Sequence, residues 1–284
     1  MMDPALRGKR DAFLENIGTR PLIMGVLNVT PDSFSDGGLF QDVPAAVTQA
    51  QSMAAAGCDI VDVGGESTRP GAVPVSAADE LARIEPVLEE LATSLNVPVS
   101  VDTYKAEVAA RAARMGAVLV NDVWGLQKDP AMADTIAETE CALVIMHNRV
   151  ARDEAVDILA DIRRFFDRSL ALAEKAGIPR GRIILDPGIG FGKTSRQNLA
   201  AVAGLAALRS YGLPILVGVS RKGFLGSLTG GTEKGFAGTL AAALAAVANG
   251  AAIVRVHDVA EHAAALKVFS LIRGASRGGE YGVT

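Results

Sequence analysis

The sequence predicts one domain of the α/β class, a single (β/α)8 TIM barrel, on three observations. Eight short apolar runs rich in Val, Ile and Leu recur along the chain, helical stretches separate them, and polar residues stand at or just past their downstream ends. A near-continuous apolar strand is buried on both faces, and strands alternating with helices at this spacing pair in parallel through right-handed crossovers. Eight such units close a barrel of about 250 residues, and catalytic groups of that architecture gather at the carboxyl ends of the strands.

Taken in order, an N-terminal extension (1–20) precedes the first run, Pro21–Val29, which leads to a helical stretch at Pro44–Ala56. Asp59–Gly65 then leads to Ala78–Leu95, Pro98–Thr103 to Lys105–Met115, and Ala117–Val123 to Pro130–Glu138. In the second half Ala142–Asn148 leads to Asp153–Ala176, Arg182–Gly188 to Ser195–Arg209, Pro214–Ser220 to Gly235–Asn249, and Ala252–Val256 to Val259–Arg273. The barrel is expected over 21–275, with a C-terminal tail at 276–284. Gly57, Gly116, Gly177 and Gly250 each sit where a helix should stop and can supply a left-handed cap. No repeat of fixed period, low-complexity tract or dividing linker interrupts the pattern.

Composition agrees with a compact enzyme-sized domain: 49% of the 284 residues are hydrophobic and 21% charged, enough for a large core and too little charge for disorder. A net charge of −4 provides no basic field for nucleic acid or an anionic membrane, so anionic ligands must be held by local groups. Ala237–Val254 has the look of a membrane span, but it is Ala-rich and broken at Asn249-Gly250, so it reads as a buried helix running into a strand. The N-terminus carries Asp3, Arg7, Lys9, Arg10 and Asp11 without an apolar stretch, unlike a secretory signal. Cys58 and Cys141 lack metal or redox spacing and read as core residues in a reducing cytoplasm.

The chemistry collects at the strand ends. Asn28 opens a long turn through Asp32, Phe34 and Asp36 that reads either as a capped surface loop or as a mobile binding loop. After the second run, Gly64-Gly65 allows close backbone approach, Thr68 offers a hydroxyl, and Arg69 can reach an anion or stack on a ring, with Glu66 available to orient it. Asp102, Asn121 and Asp186 end three further runs. Each carboxylate needs a partner, so they either pair with Lys222 and Arg255 to close the barrel or recognise a ligand with adjacent N–H donors. Amide and carboxyl groups with a lysine, drawn from four strands, point to a flat hydrogen-bonding heterocycle. Gly188–Gly192 resembles a phosphate loop only weakly. Ser220, Lys222, Arg255 and His257, after the seventh and eighth runs, suit a pyrophosphate; Arg255 and His257 are two apart and share one side of their strand. Arg221 reads equally as a diphosphate ligand or as a solvated or interface cation, His147 as a structural hydrogen-bonding residue, and His262 as a surface residue.

These motifs in this order, Gly25–Gly38, Gly64–Gly71, Val101-Asp102-Thr103, Asn121-Asp122-Val123, Asp186–Lys193, Ser220-Arg221-Lys222 and Arg255-Val256-His257-Asp258, resemble the dihydropteroate synthase family, the sulfonamide-inhibited enzymes of folate biosynthesis. The resemblance covers about Arg20 to Ile272 and departs in two places: Asn148-Arg149-Val150 stands where the family often has Met-x-Gly, and Gly223 replaces a frequent Ser. It implies a transferase that condenses 6-hydroxymethyl-7,8-dihydropterin diphosphate with 4-aminobenzoate, with help from Mg2+. By similarity Asp102, Asn121, Met146, Asp186, Lys222 and Arg255 hold the pterin, and Asn28, Thr68, Arg255 and His257 the diphosphate, with Asn28 beside the metal. Phe34, Thr68, Arg69, Pro70, Phe191 and Ser220 would form the aminobenzoate site, with Asp102, Lys222, Arg255 and His257 carrying catalysis. The resemblance also implies a homodimer, and the Ala-rich seventh helix and the eighth could pack the partner. The rival readings are a pterin-binding methyltransferase on the same barrel and a catalytically silent pterin-binding protein.

Overall fold

The computed structural model describes residues 2–30, 42–67, 73–229 and 235–275. Eight parallel strands make one sheet: β1 (Leu22–Asn28), β2 (Ile60–Gly64), β3 (Val99–Asp102), β4 (Ala117–Asp122), β5 (Ala142–Met146), β6 (Ile183–Asp186), β7 (Leu216–Val217) and β8 (Ile253–Val256). They lie in the order β6-β5-β4-β3-β2-β1-β8-β7. A bridge between Leu185 and Ile215 brings β6 to β7, with the Leu185 amide donating to the Pro214 carbonyl at 2.9 Å. The predicted (β/α)8 barrel is therefore present.

Its helices are α1 (Pro4–Asn16), α2 (Asp42–Ala55), α3 (Ala77–Ser94), α4 (Ala106–Arg114), α5 (Met132–Thr139), α6 (Ile158–Lys175), α7 (Ser195–Ala203), α8 (Gly223–Thr229), α9 (Phe236–Ala248) and α10 (Val259–Ala275). Strand periodicity divides the core in two. Outward residues such as Val61, Val63, Val101, Val120, Ile145, Leu185 and Val254 pack under the helices. Leu22, Met24, Ile60, Leu119, Ala142, Val144, Ile184, Leu216 and Ile253 fill the barrel interior.

The segment before β1 is a helix, not a plain extension of chain. Asp3 caps it, accepting from the Ala5 amide at 2.8 Å, and Pro4 starts it. Its Phe13 joins the interior cluster and plugs the amino end of the barrel.

Two predicted elements change form. The expected helix at Ser195–Arg209 stops at Ala203 with Gly204 as its C-cap, and Gly204 passes so close to Leu159 that a Cβ would meet its Cδ1 at 2.6 Å. A 3-10 segment, Leu205–Tyr211, follows and buries Leu205 and Leu208, three apart as that helix requires. The seventh run pairs over only two residues, and α8 follows it directly; glycines at 223 and 226 hid that helix from propensity. Ala237–Val254 is α9 followed by β8, and among the described residues no helix is long and apolar enough to cross a membrane.

Candidate active site

Climbing each strand by two from its apolar interior residue reaches a polar one: Ile60 to Asp62, Leu119 to Asn121, Ile184 to Asp186, and Ile253 to Arg255 and then His257. Alternation alone turns these polar groups into one chamber at the carboxyl end. Arg255 sits at its centre. Its Nε donates to Asp62 Oδ2 and its Nη2 to Asp102 Oδ2, each at 2.7 Å, and Asn121 Nδ2 donates to the same Asp62 oxygen at 3.0 Å. Burial alone would lower the Arg255 pKa, but Asp62 and Asp102 outweigh it and keep the guanidinium charged.

Asp62 is the site residue the sequence reading missed. It is fully buried, and the signal was visible: a lone carboxylate inside Ile60-Val61-Asp62-Val63, where only a partnered charge is tolerated.

The chamber holds more acceptors than donors. Asp62 Oδ1, Asp102 Oδ1 and Asn121 Oδ1 are buried without a hydrogen-bond partner among the described residues. Asp186, also buried, accepts the Gly188 amide at 2.7 Å. Burial pushes the Asp186 carboxyl up to about 6, and it raises Asp102 as well, with Arg255 pulling the other way. Burial and the neighbouring Arg255 bring the Lys222 ammonium down to about 8. Lys222 lies along Gly190, where a Cβ would meet its Cδ at 3.0 Å, and its Nζ stands 4.3 Å from the Phe191 ring centroid. Met146 ends β5 as a buried neighbour of Asp186 in register. Asn28 ends β1 opposite Gly64, whose position is within ordinary contact of both Asn28 Oδ1 and the Asp102 side chain.

His257 lies just past β8 with its Nδ1 3.0 Å from Ser220 Oγ, and its own amide donates to that oxygen at 3.2 Å. The Ser220 hydroxyl can also donate to Nδ1, and in that arrangement the ring proton sits on Nε2. Burial, reinforced by Arg255, pushes His257 down to about 3, so the ring is a neutral donor. Arg221 turns outward to pair with Asp258 at 2.5 Å, its side chain about half exposed.

The turn 188–192 is not a phosphate cradle. The Gly190 amide is taken by Asn198 Oδ1 at 2.7 Å, and the Phe191 amide by the Gly188 carbonyl at 3.2 Å. Lys193 is buried beneath it, with burial driving its ammonium down to about 7. His147 contacts Asp161 through Nε2 at 3.2 Å and Lys193 through Nδ1 at 2.8 Å, the hydrogen-bonding role read from the sequence. His262 overturns its surface reading: it is fully buried, with Nδ1 2.6 Å from the Asp258 carbonyl and its ring edge-on to Phe236. The next turn of α10 packs it against α9, which helix position alone did not reveal. Glu66 pairs with Lys105 and accepts from Tyr104 at 3.1 Å. Phe34, Thr68, Arg69 and Pro70 lie outside the described residues. A cleft lined by Glu66, Tyr104, Trp124, Arg149 and Phe191 adjoins the chamber.

The family model described as pterin binding enzyme matches residues 24–257. The chain is 45% identical over 259 residues to a dihydropteroate synthase of Clostridium beijerinckii, covering 90% of this chain and 96% of that protein. Among solved structures, it resembles a Clostridium difficile dihydropteroate synthase determined in the presence of pteroic acid, with a TM-score of 0.88 and 44% identity over 90% of this chain and 98% of that one. It also resembles the Xanthomonas albilineans dihydropteroate synthase with 4-aminobenzoic acid, with a TM-score of 0.86 and 43% identity over 89% and 93%. Likeness of this extent, over nearly the whole barrel, shows that the chain belongs to the dihydropteroate synthase family of pterin-binding enzymes.

Proposed function

We propose that the protein joins 4-aminobenzoate to 6-hydroxymethyl-7,8-dihydropterin diphosphate, giving 7,8-dihydropteroate and pyrophosphate. The observation that carries this reading is the set of buried acceptor oxygens on Asp62, Asp102 and Asn121, gathered with Asp186 around Arg255. An unsatisfied buried acceptor is costly, and a flat heterocycle rich in N–H groups relieves several at once. Asp102, Asn121 and Asp186 accept from the ring, Met146 packs on it, and Lys222 and Arg255 hold its position.

The aminobenzoate nitrogen bonds to the pterin methylene carbon, the diphosphate leaves with the electron pair of the broken C–O bond, and the nitrogen gives up a proton. Neither a strong nucleophile nor a general base is required. Three carboxyl groups, on Asp62, Asp102 and Asp186, face two cations, on Lys222 and Arg255; ionised, they leave the chamber negative and favour a developing pterin methylene cation. His257 donates its Nε2 proton, and Arg255 its remaining N–H groups, toward the departing diphosphate. Phe191 and Ser220 border the aminobenzoate position, with Phe34, Thr68, Arg69 and Pro70 assigned to its other side by motif. Thr68 is likewise assigned to the diphosphate.

Asn28 suits Mg2+. Its amide oxygen stands at the strand end beside Gly64 and Asp102, and Mg2+ needs only one or two protein oxygens alongside water and phosphate. When bound, the ion neutralises charge on the leaving diphosphate. We also assign a homodimer through α9 and α10. Val268, Leu271 and Ile272 share one face of α10 and are exposed by 57%, 41% and 64%, and Phe236 on α9 and Leu228 on α8 are exposed as well. The buried free thiols of Cys58 and Cys141 fit a cytoplasmic protein. The deciding experiment is pyrophosphate release from the pterin diphosphate. Release that requires 4-aminobenzoate and Mg2+ supports the reading; release indifferent to aminobenzoate removes it.

A further inference from the structure

Lys193 is among the largest fully buried side chains, yet the groups around its ammonium are two carbonyls and an imidazole. Nζ donates to the Gly188 carbonyl at 2.7 Å and the Phe191 carbonyl at 3.1 Å, and it lies 2.8 Å from His147 Nδ1. Asp161 Oδ2 stands 3.2 Å from His147 Nε2 and, as a carboxylate, only accepts. The ring proton is thereby set on Nε2, and Nδ1 is free to accept from Lys193. Three N–H bonds of the ammonium meet three acceptors.

The segment these contacts hold has little stiffness of its own. Gly188, Gly190 and Gly192 all take positive φ, of 66°, 90° and 56°. A Cβ at Gly188 would fall 1.8 Å from the His147 carbonyl, so close approach to β5 requires glycine there. Two groups of the site depend on where this turn lies: Asp186, which accepts the Gly188 amide, and Phe191, which faces the Lys222 ammonium. The Asp186 contact spans two residues and is local, as is the Phe191 amide's bond to the Gly188 carbonyl, whereas the Phe191 carbonyl is tied through Lys193 to His147 on the neighbouring strand end.

We propose that Lys193 is a positioning residue: held by His147 and Asp161, it clamps the 188–192 turn so that Phe191 and Lys222 form one wall for the aminobenzoate. The inference rests on the proposed condensation, and it touches neither substrate. It separates from a purely structural role by its readout: losing the buried donor leaves the Gly188 and Phe191 carbonyls and His147 Nδ1 unpaired and costs stability in either case, whereas the aminobenzoate KM moves only if Phe191 loses its place.

The test uses the full chain carrying Lys193→Met, with Asp161→Asn as a second variant at the outer end of the same chain of contacts. Steady-state pyrophosphate release and calorimetric binding of 6-hydroxymethylpterin are measured for both. Lys193→Met should raise the KM for 4-aminobenzoate about tenfold, the effect of one or two lost hydrogen bonds, with kcat and pterin affinity changed by less than about threefold. Asp161→Asn should move the same KM in the same direction by less. An unchanged aminobenzoate KM, or equal losses for both substrates, in a folded Lys193→Met protein overturns the inference. If that variant does not fold, an unchanged KM in Asp161→Asn does so. Failure of the unsubstituted protein to release pyrophosphate with aminobenzoate sinks the proposed reaction instead.

Discussion

Two layers of the barrel interior stand two residues apart on the same strands and obey opposite rules. The lower layer, Phe13 with Leu22, Met24, Ile60, Leu119, Ile184 and Ile253, is apolar and tightly covered. The upper layer, Asp62, Asp102, Asn121, Asp186 and Arg255, buries charge and leaves acceptor oxygens of Asp62, Asp102 and Asn121 unpaired among the described residues. The lower layer removes apolar surface from water, worth roughly 25 cal/mol per Å2. The upper layer spends some of that stability on groups that ligands complete. Substitutions above should therefore act mainly on binding and turnover, and substitutions below mainly on folding.

Arg255→Ala is the most severe challenge to that division, because Arg255 serves both purposes. Its loss removes a fork for the diphosphate and strands Asp62 and Asp102, so kcat should fall on the order of a thousandfold and the pterin KM should rise. Stability should drop by about 3–5 kcal/mol, as for a broken buried pair. Denaturant titration alongside pyrophosphate-release kinetics checks both. A near-normal kcat would make Arg255 a structural tie only.

Phe13→Ala tests the lower layer by itself. Truncating a buried aromatic costs about 3–4 kcal/mol, whereas the folded fraction should keep the KM of both substrates. A shifted KM would mean that the two layers are coupled.

Asp186→Asn should move the two properties in opposite directions. Pterin affinity should weaken by about 1.5–3 kcal/mol, since an amide presents N–H where the ring also donates. The Asp186 value in the folded protein, about 6, lies above the ordinary 3.8. Its carboxyl therefore contributes stability that is fully present below pH 3.8 and lost as pH rises through about 6, so the amide should stabilise the free protein at neutral pH by roughly 1–3 kcal/mol. Calorimetry with a pterin analogue and urea unfolding of the same variant measure the pair; unchanged affinity would take Asp186 out of the pocket.

His257→Ala is the mildest of these. It removes one neutral donor, and kcat should fall about tenfold with Mg2+ dependence intact. Because burial holds both His257 and His147 near 3, below the ordinary 6.5, each contributes stability present above pH 6.5 and lost as pH falls toward 3. The acid arm of the stability profile should be shallower in His257→Ala than in the parent, and an identical arm would show that the ring is exposed.

The barrel, its eight strands and the residues at their ends were legible because each rests on local rules: strand burial on both faces, alternation by two, and glycine at helix stops. Asp102, Asn121, Asp186, Lys222, Arg255 and His257 could be placed on one face from strand ends alone, and the motif order carried them to a family. What needed the folded chain was every relation between strands. Asp62 lies within an apolar run, and only the approach of β8 to β2 and β3 makes it the partner of Arg255. Lys193 looked like the end of a glycine turn until His147, 46 residues earlier, was brought to 2.8 Å. His262 sat on a helix whose buried side is chosen by α9, and Phe13 belonged to a segment outside the repeating pattern. Periodicity tells each residue which way to face along its own element; which group it meets there depends on contacts between distant parts of the chain, and those are made by closure of the barrel.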